Sequence, residues 1–280
     1  MVDTFDKSCE HWSENSRKEM EDFYSLASVD YEYLSKAHDW NSWLNAIKRD
    51  NNDEAIQLLD VACGSGKFPA ALLNNSNIVI KNKKKICYSL LDPSRFSINE
   101  ATKKLKHPFE INNKYETTLQ EFKCKQKFFD IIWAIHALYA IPKKELRCAL
   151  NNLLMGLSGN AFIAHGCSDG HYVKFYKLFL DAFGTDEEFE FISAEDIIST
   201  LEVLNVKYEY KYLTYTNGAD NSSSIQIEKY LQRCVFNDSV GLKKMMENPI
   251  TGSYLKNCLK NSGWEFSQKV MMIFFENKES

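Results

Sequence analysis

Leu58-Leu59-Asp60-Val61-Ala62-Cys63-Gly64-Ser65-Gly66-Lys67-Phe68 is the stretch on which the reading of this chain turns. An apolar run ends in a carboxylate and small residues, two glycines follow, and the sequence then becomes compatible with a helix. A strand that stops at a glycine turn opening into a helix leaves backbone N–H groups facing outward, where a ligand can lie close against the main chain. The pattern therefore predicts a nucleotide-shaped site.

Spacing separates the families that use such a turn. A triphosphate loop needs a glycine six residues before Lys67 and a serine or threonine after it, but Val61 and Phe68 stand there. A dinucleotide fingerprint needs a third glycine where Pro69 stands, and an acidic partner about 20 residues on, earlier than Asp92. What remains is Asp60 before the turn, Gly64 and Gly66 within it, and Asp92 ending the next strand-like run, Ile86 to Leu91. This resembles motif I and the acidic loop of class I S-adenosylmethionine (SAM) methyltransferases, and Phe129 to His136 resembles the fourth strand of that family. The resemblance implies a Rossmann-like α/β fold: a seven-stranded, mostly parallel sheet with helices on both faces.

Composition agrees with one catalytic domain. The chain has 280 residues, 44% of them hydrophobic, enough for one full core. A formal charge of −4 and a pI near 5.9 argue against a nucleic-acid partner, which needs a basic face. The run Lys81 and Lys83 to Lys85 reads as a solvated loop. Eight cysteines form no C-x-x-C pair, so neither a zinc ribbon nor a dithiol centre is indicated, no metal is called for, and the thiols read as reduced core residues. The first twelve residues lack the apolar segment of a secretory signal, and the apolar run 270–275 is too short to span a bilayer. The expectation is a cytoplasmic monomer without membrane attachment.

Residues 8–48 carry apolar and aromatic side chains at helical spacings, predicting two or three amphipathic helices that precede the sheet and cover its ligand end. The division expected is 1–52, a helical cap, and 53–280, the SAM-binding domain. Strand and helix alternate from residue 57: strands to about Ala62, over 86–91, a weak one over 109–111 or nearer Tyr115, then over 129–135 and over 161–165, with helices from Lys67, Pro93, Pro142 and His171. Further on come a helix capped by Ser193, an alternating strand over 207–215, a polar loop over 217–224, helices near 224–236 and 239–261, and a last strand over 265–275.

In a doubly wound sheet the ligand lies beyond the carboxyl ends of the strands, where the crossover direction reverses. Gly64 and Gly66 let the backbone approach the amino-acid end of SAM. Asp60, and Ala62 where the family has its first motif glycine, belong to the same turn, with Asp60 orienting it or meeting the ammonium through water. Asp92 suits a vicinal diol, because a carboxylate offers two acceptors. Ser97 lies one helical turn further on, and Glu116 to Thr118 and Ile135 flank the adenine, with Thr118 and Ile135 as contacts.

Over most of its length the chain resembles histamine N-methyltransferase and its relatives, on Leu91 to Ser94, Phe129 to Ile132 with Leu138-Tyr139, and Ile192 to Ile197 continuing into 204–209. Such relatives methylate small imidazoles or amines, which implies a small-molecule substrate, a cationic amine or an imidazole, with S-adenosylhomocysteine as product. Carried across by position, Asp30 is the counterpart of an acidic substrate-binding residue, His136 replaces a glutamine, Tyr139 keeps a tyrosine, His171 and Phe175 replace two tryptophans of the substrate wall, and Gln268 matches an asparagine. Asp30, His136 and Tyr139 are the catalytic candidates. His136 has a pKa suited to accepting a proton, or it hydrogen-bonds the nucleophile. Tyr24, His171 and Phe175 complete an aromatic wall, and His165 and Cys167 lie close to it. Two other outcomes stay open: use of the aminobutyl chain of SAM, with methylthioadenosine as product, and a SAM-binding regulator without turnover.

Overall fold

The computed structural model describes residues 3–47, 55–76, 78–80, 85–220 and 223–277; the lysines of the basic run up to Lys84 lie outside the described residues. Three helices come first, α1 (Thr4–His11), α2 (Arg17–Lys36) and α3 (Trp40–Asn45). The alternating part follows as β1 (Ile56–Val61), α4 (Lys67–Asn75), β2 (Ile86–Leu91), α5 (Arg95–Lys104), β3 (Phe109–Tyr115), β4 (Phe129–Ile135), α6 (Leu146–Gly156), β5 (Leu157–Gly166) and α7 (His171–Phe183). Then come α8 (Ala194–Val203), β6 (Tyr208–Asp220), α9 (Ser224–Cys234), α10 (Leu242–Glu247), α11 (Pro249–Cys258), β7 (Leu259–Lys260) and β8 (Gly263–Glu276).

Seven of the described strands lie in the order β3-β2-β1-β4-β5-β8-β6, and the two-residue β7 pairs with β8. The neighbours from β3 to β5 are parallel, whereas β8 runs antiparallel to both β5 and β6. Strand β4 is buried along its whole length, as a central parallel strand covered on both faces must be. Alternate side chains of the strands feed two cores. Leu58, Ile131, Trp133 and Phe162 pack with Trp40 of α3 and Phe68 and Leu72 of α4, while Leu59, Ile132, Ala134 and Ile163 pack with Leu150 and Leu153 of α6 and Ile197 of α8.

A third core lies mostly among helices, against the start of β8. Met20 and Tyr24 of α2, Tyr172 and Phe175 of α7, Tyr230 and Leu231 of α9, Met245 and Leu255 of α10 and α11, and Phe266 of β8 form a helical wall. Two sequence expectations change here. The polar stretch from Asn217 to Asp220 is not loop but the end of β6, paired residue by residue with β8 down to Asp220 opposite Gly263. The helix expected over 239–261 is two helices, broken at Asn248-Pro249, where Asn248 caps α11 through its side chain and Pro249 cannot donate a bond back to α10.

Helix α1 is tied down on two sides. The Ser94 hydroxyl donates to the Trp12 carbonyl at 2.7 Å, and Arg233 Nη1 donates to the His11 carbonyl at 2.6 Å. These bonds bring the N-terminal segment against both α5 and α9.

Candidate functional site

The crossover direction reverses between β1 and β4: the chain leaves β1 toward β2 and β3, then returns to β4 and β5 on the other side. The carboxyl ends of β1 and β4 therefore flank a crevice. A cavity of about 190 Å³ opens there, more than ten times the roughly 10–15 Å³ that one buried water needs. Strand ends form its floor, and α1, α2, α7 and α9 wall it together with the first turns of α4 and α5 and the segments after β3 and β4.

The floor is built from strained backbone. Ala62 follows β1 with φ 47°, Gly64 has φ 49° and His136 follows β4 with φ 53°. A left-handed conformation suits glycine but costs a residue with a Cβ about 1–2 kcal/mol. Ala62, His136 and Phe236, the last at φ 49°, all line the cavity, as strained backbone does where a site dictates geometry.

Asp92 locks the glycine turn. Its Oδ2 accepts the Gly64 N–H at 3.0 Å and its Oδ1 the Ser94 N–H at 2.8 Å. Burial pushes its pKa up to about 6, against the pull of those two N–H groups. Asp60 accepts the Tyr88 hydroxyl at 2.6 Å and is raised to about 7 by burial. Tyr24 Oη overhangs the turn, 3.6 Å from where a Cβ on Gly64 would stand, and Lys67 Nζ lies 4.2 Å from the Tyr24 ring centroid. Burial lowers Lys67 to about 8.

On the neighbouring strand end, His136 Nδ1 lies 2.7 Å from Tyr139 Oη, and the Gly166 N–H donates to that same oxygen at 3.1 Å. His136 Nε2 is buried without a partner. Burial, and His165 nearby, lower the His136 pKa to about 3, so the ring is neutral. Asp30 of α2 is 2% exposed and accepts from Tyr172 Oη at 2.6 Å and from Asn217 Nδ2 at 2.9 Å. Burial outweighs these bonds and raises it to about 7.

Of the residues singled out from sequence, Tyr24, Asp30, Asp60, Ala62, Gly64, Asp92, Ser97, Thr118, Ile135, His136 and Tyr139 all line this cavity. Four do not. Gly66 packs away from it: a Cβ there would stand 3.0 Å from Ala101 Cα, so this glycine serves the approach of α4 to α5. His171 and Phe175 lie one layer behind the wall and are fully buried. Their rings stack 5.4 Å apart, and His171 Nδ1 bonds Tyr254 Oη at 2.9 Å. Gln268 is buried against Tyr230, whose hydroxyl accepts from its amide at 3.4 Å. His165 and Cys167, expected near the wall, are also buried outside the lining, His165 with Nε2 2.9 Å from the Ile192 carbonyl. Glu116 reaches outward to Arg95 instead of the cavity.

The part of the lining that sequence missed comes from other elements: Trp12 beside α1, Tyr31 of α2, Tyr172 of α7, Phe191, and Arg233 and Cys234 of α9. Arg233 carried a visible signal, a lone charge in the run from Tyr230 to Phe236, which is apolar apart from Gln232 beside it.

No protein-family model matches the chain, and no curated protein sequence matches it. Solved structures do. A Bacillus halodurans protein provisionally assigned as a methyltransferase superposes with a TM-score of 0.55 at 12% identity, over 85% of this chain and 97% of the other. Magnesium protoporphyrin IX methyltransferase of Synechocystis, with S-adenosylhomocysteine bound, gives 0.54 at 11% identity over 96% and 99%. Loganic acid methyltransferase, with the same ligand, gives 0.52 at 8% over 96% and 97%. At these identities the likeness establishes architecture: the chain has the Rossmann-like fold of class I methyltransferases.

Proposed function

We propose that the chain transfers the methyl group of SAM to a small molecule, an amine or imidazole compound, as its resemblance to histamine N-methyltransferase implies. Residues 1–52 act as the cap and 53–280 as the cofactor domain. One observation carries the proposal: a glycine turn locked by a carboxylate and a neutral imidazole meet in a single cavity at the switch point of the sheet.

The donor set fits the cofactor. Asp92 accepts one N–H on each oxygen and retains a lone pair on each for the two ribose hydroxyls. Gly64, with no Cβ and an exposed backbone, suits the amino-acid end, with Asp60 as the anion nearest its ammonium. Ile135 and Thr118 flank the adenine, and Ser97 stands near the sugar. Buried carboxylates at Asp60 and Asp92 favour a cationic ligand, since desolvation leaves each in need of positive charge.

SAM supplies a sulfonium methyl that is already activated. The protein then has to hold a neutral lone pair in line with that methyl and keep water out. Asp30 pairs with the amine and, near pKa 7, takes up its proton at neutral pH. His136 and Tyr139 fix the orientation of the acceptor, and the rings of Tyr24 and Tyr172 enclose it. α1 contributes Phe5, Ser8 and Cys9 to the wall that limits water around it.

The experiment is product analysis with purified protein, SAM and a panel of small amines and imidazoles. S-adenosylhomocysteine, appearing with a methylated acceptor, is the expected product. Methylthioadenosine without it means that the aminobutyl chain is used instead. Calorimetric binding without any product means a SAM-binding regulator.

A further inference from the structure

Arg233 is 1% exposed yet lines the cavity. Its Nη1 donates to the His11 carbonyl at 2.6 Å, and its guanidinium carbon lies 5.7 Å from the Trp12 ring centroid. Nε and Nη2 are buried without any partner. Asp238 and Glu19 act on it through space, and no carboxylate among the described residues lies within ion-pairing distance of it. Buried polar groups are nearly always bonded, and a buried charge most of all.

The two unpartnered nitrogens are informative because of which two they are. Nη1 lies on the Cδ side of the guanidinium and is spent on α1. Nε–H and the nearer Nη2–H point the same way, as the parallel fork that meets both oxygens of a carboxylate. We propose that Arg233 receives a carboxylate of a molecule bound in the cavity. This deepens the methyltransferase reading and rests on it for the identity of the ligands. The carboxylate belongs either to the methionine end of the cofactor or to the acceptor, which would then be an amino-acid-like or other carboxylate-bearing compound instead of a simple amine.

The test uses the full chain labelled with 15N-arginine. The Arg233 Nε–H resonance is identified by its loss in both R233K and R233Q, so one well-folded variant suffices. S-adenosylhomocysteine, methylthioadenosine (which lacks the amino-acid end) and acetate are titrated in turn. A shift with S-adenosylhomocysteine but not methylthioadenosine supports the proposal and assigns the carboxylate to the cofactor. A shift only when acetate is added to protein already saturated with S-adenosylhomocysteine supports it and assigns the carboxylate to the acceptor. In either case R233K, which keeps the charge but loses the fork, should weaken that ligand about tenfold. A resonance that stays still throughout, while calorimetry shows S-adenosylhomocysteine bound, overturns the proposal and leaves Glu19 as the internal partner. If S-adenosylhomocysteine does not bind at all, the functional reading fails separately, and acetate on the protein alone still decides for Arg233.

Discussion

Tyr139 Oη stands 2.7 Å from His136 Nδ1 while accepting the Gly166 N–H. With one lone pair so occupied, the phenol needs an acceptor for its own hydrogen, and Nδ1 is the one in reach. That places the imidazole proton on Nε2, the nitrogen buried without a partner. His136 thus presents a hydrogen-bond donor to the cavity.

If it donates and does not take up protons, His136→Gln, which keeps an N–H donor, should retain most turnover, whereas His136→Ala should lose about 10- to 100-fold in kcat with S-adenosylhomocysteine affinity unchanged. Steady-state kinetics with calorimetry measures both. Equal losses in the two variants would restore the histidine as base.

Asp92→Asn should weaken S-adenosylhomocysteine binding by about 1.5–3 kcal/mol, the range for charge-assisted hydrogen bonds. Titration calorimetry reads it directly. An unchanged affinity would mean that the ribose lies elsewhere.

Binding of SAM should release protons. Asp60 and Asp92, raised by burial to about 7 and about 6, are partly protonated at neutral pH, and a cation beside them favours their ionised forms. SAM affinity should therefore rise as pH increases from about 5 to about 8. Calorimetry in two buffers of different ionisation enthalpy counts the protons, and a flat pH profile would contradict this.

Asp30 makes a separate prediction about stability. Its folded pKa, about 7, lies above the unfolded value near 3.8, so its favourable contribution is complete below pH 3.8 and is lost as pH rises through 7. Asp30→Asn carries no ionisable group. Its stability relative to the wild type should increase between pH 5 and pH 8 by a few kcal/mol, on the order of 1.4 kcal/mol for each tenfold fall in proton concentration up to the folded pKa, as read from urea midpoints. A difference that does not change with pH would mean that Asp30 titrates as an ordinary exposed carboxylate.

Ala62 occupies a left-handed conformation at φ 47°. Ala62→Gly should stabilise the protein by up to about 1 kcal/mol, strain relief of about 1–2 kcal/mol being offset in part by the flexibility of glycine in the unfolded chain. A lower thermal midpoint would show that the alanine methyl packs better than its backbone suffers.

The strands and the strand-end part of the cavity were legible because both rest on local pattern. Ile86 to Leu91 and Phe129 to Ile135 are largely apolar runs, interrupted only by Ser89 and Asp130, and Asp60, Gly64 and Asp92 sit at strand ends that sequence alone can mark. The other end of the cavity was harder to read, because it is assembled from residues far apart in the chain. Asp30 meets Asn217 across a sequence separation of 187, and Asn217 reads as loop until its pairing with Phe266 on β8 is seen. His171 and Phe175 share a helix face, but periodicity does not say which layer of a wall a face belongs to. Gly66 is in the motif for reasons of packing, which spacing cannot distinguish from ligand approach.

The carbonyls of His11 and Trp12 are neighbours along the chain, yet they are gripped from opposite flanks, one by a guanidinium and the other by a hydroxyl. Two successive peptide units are therefore tethered between α5 and α9, beside the cavity that Trp12 lines. For this segment to swing away from the cavity it has to give up both bonds at once, so its loosening is a concerted event that neither fastening controls alone.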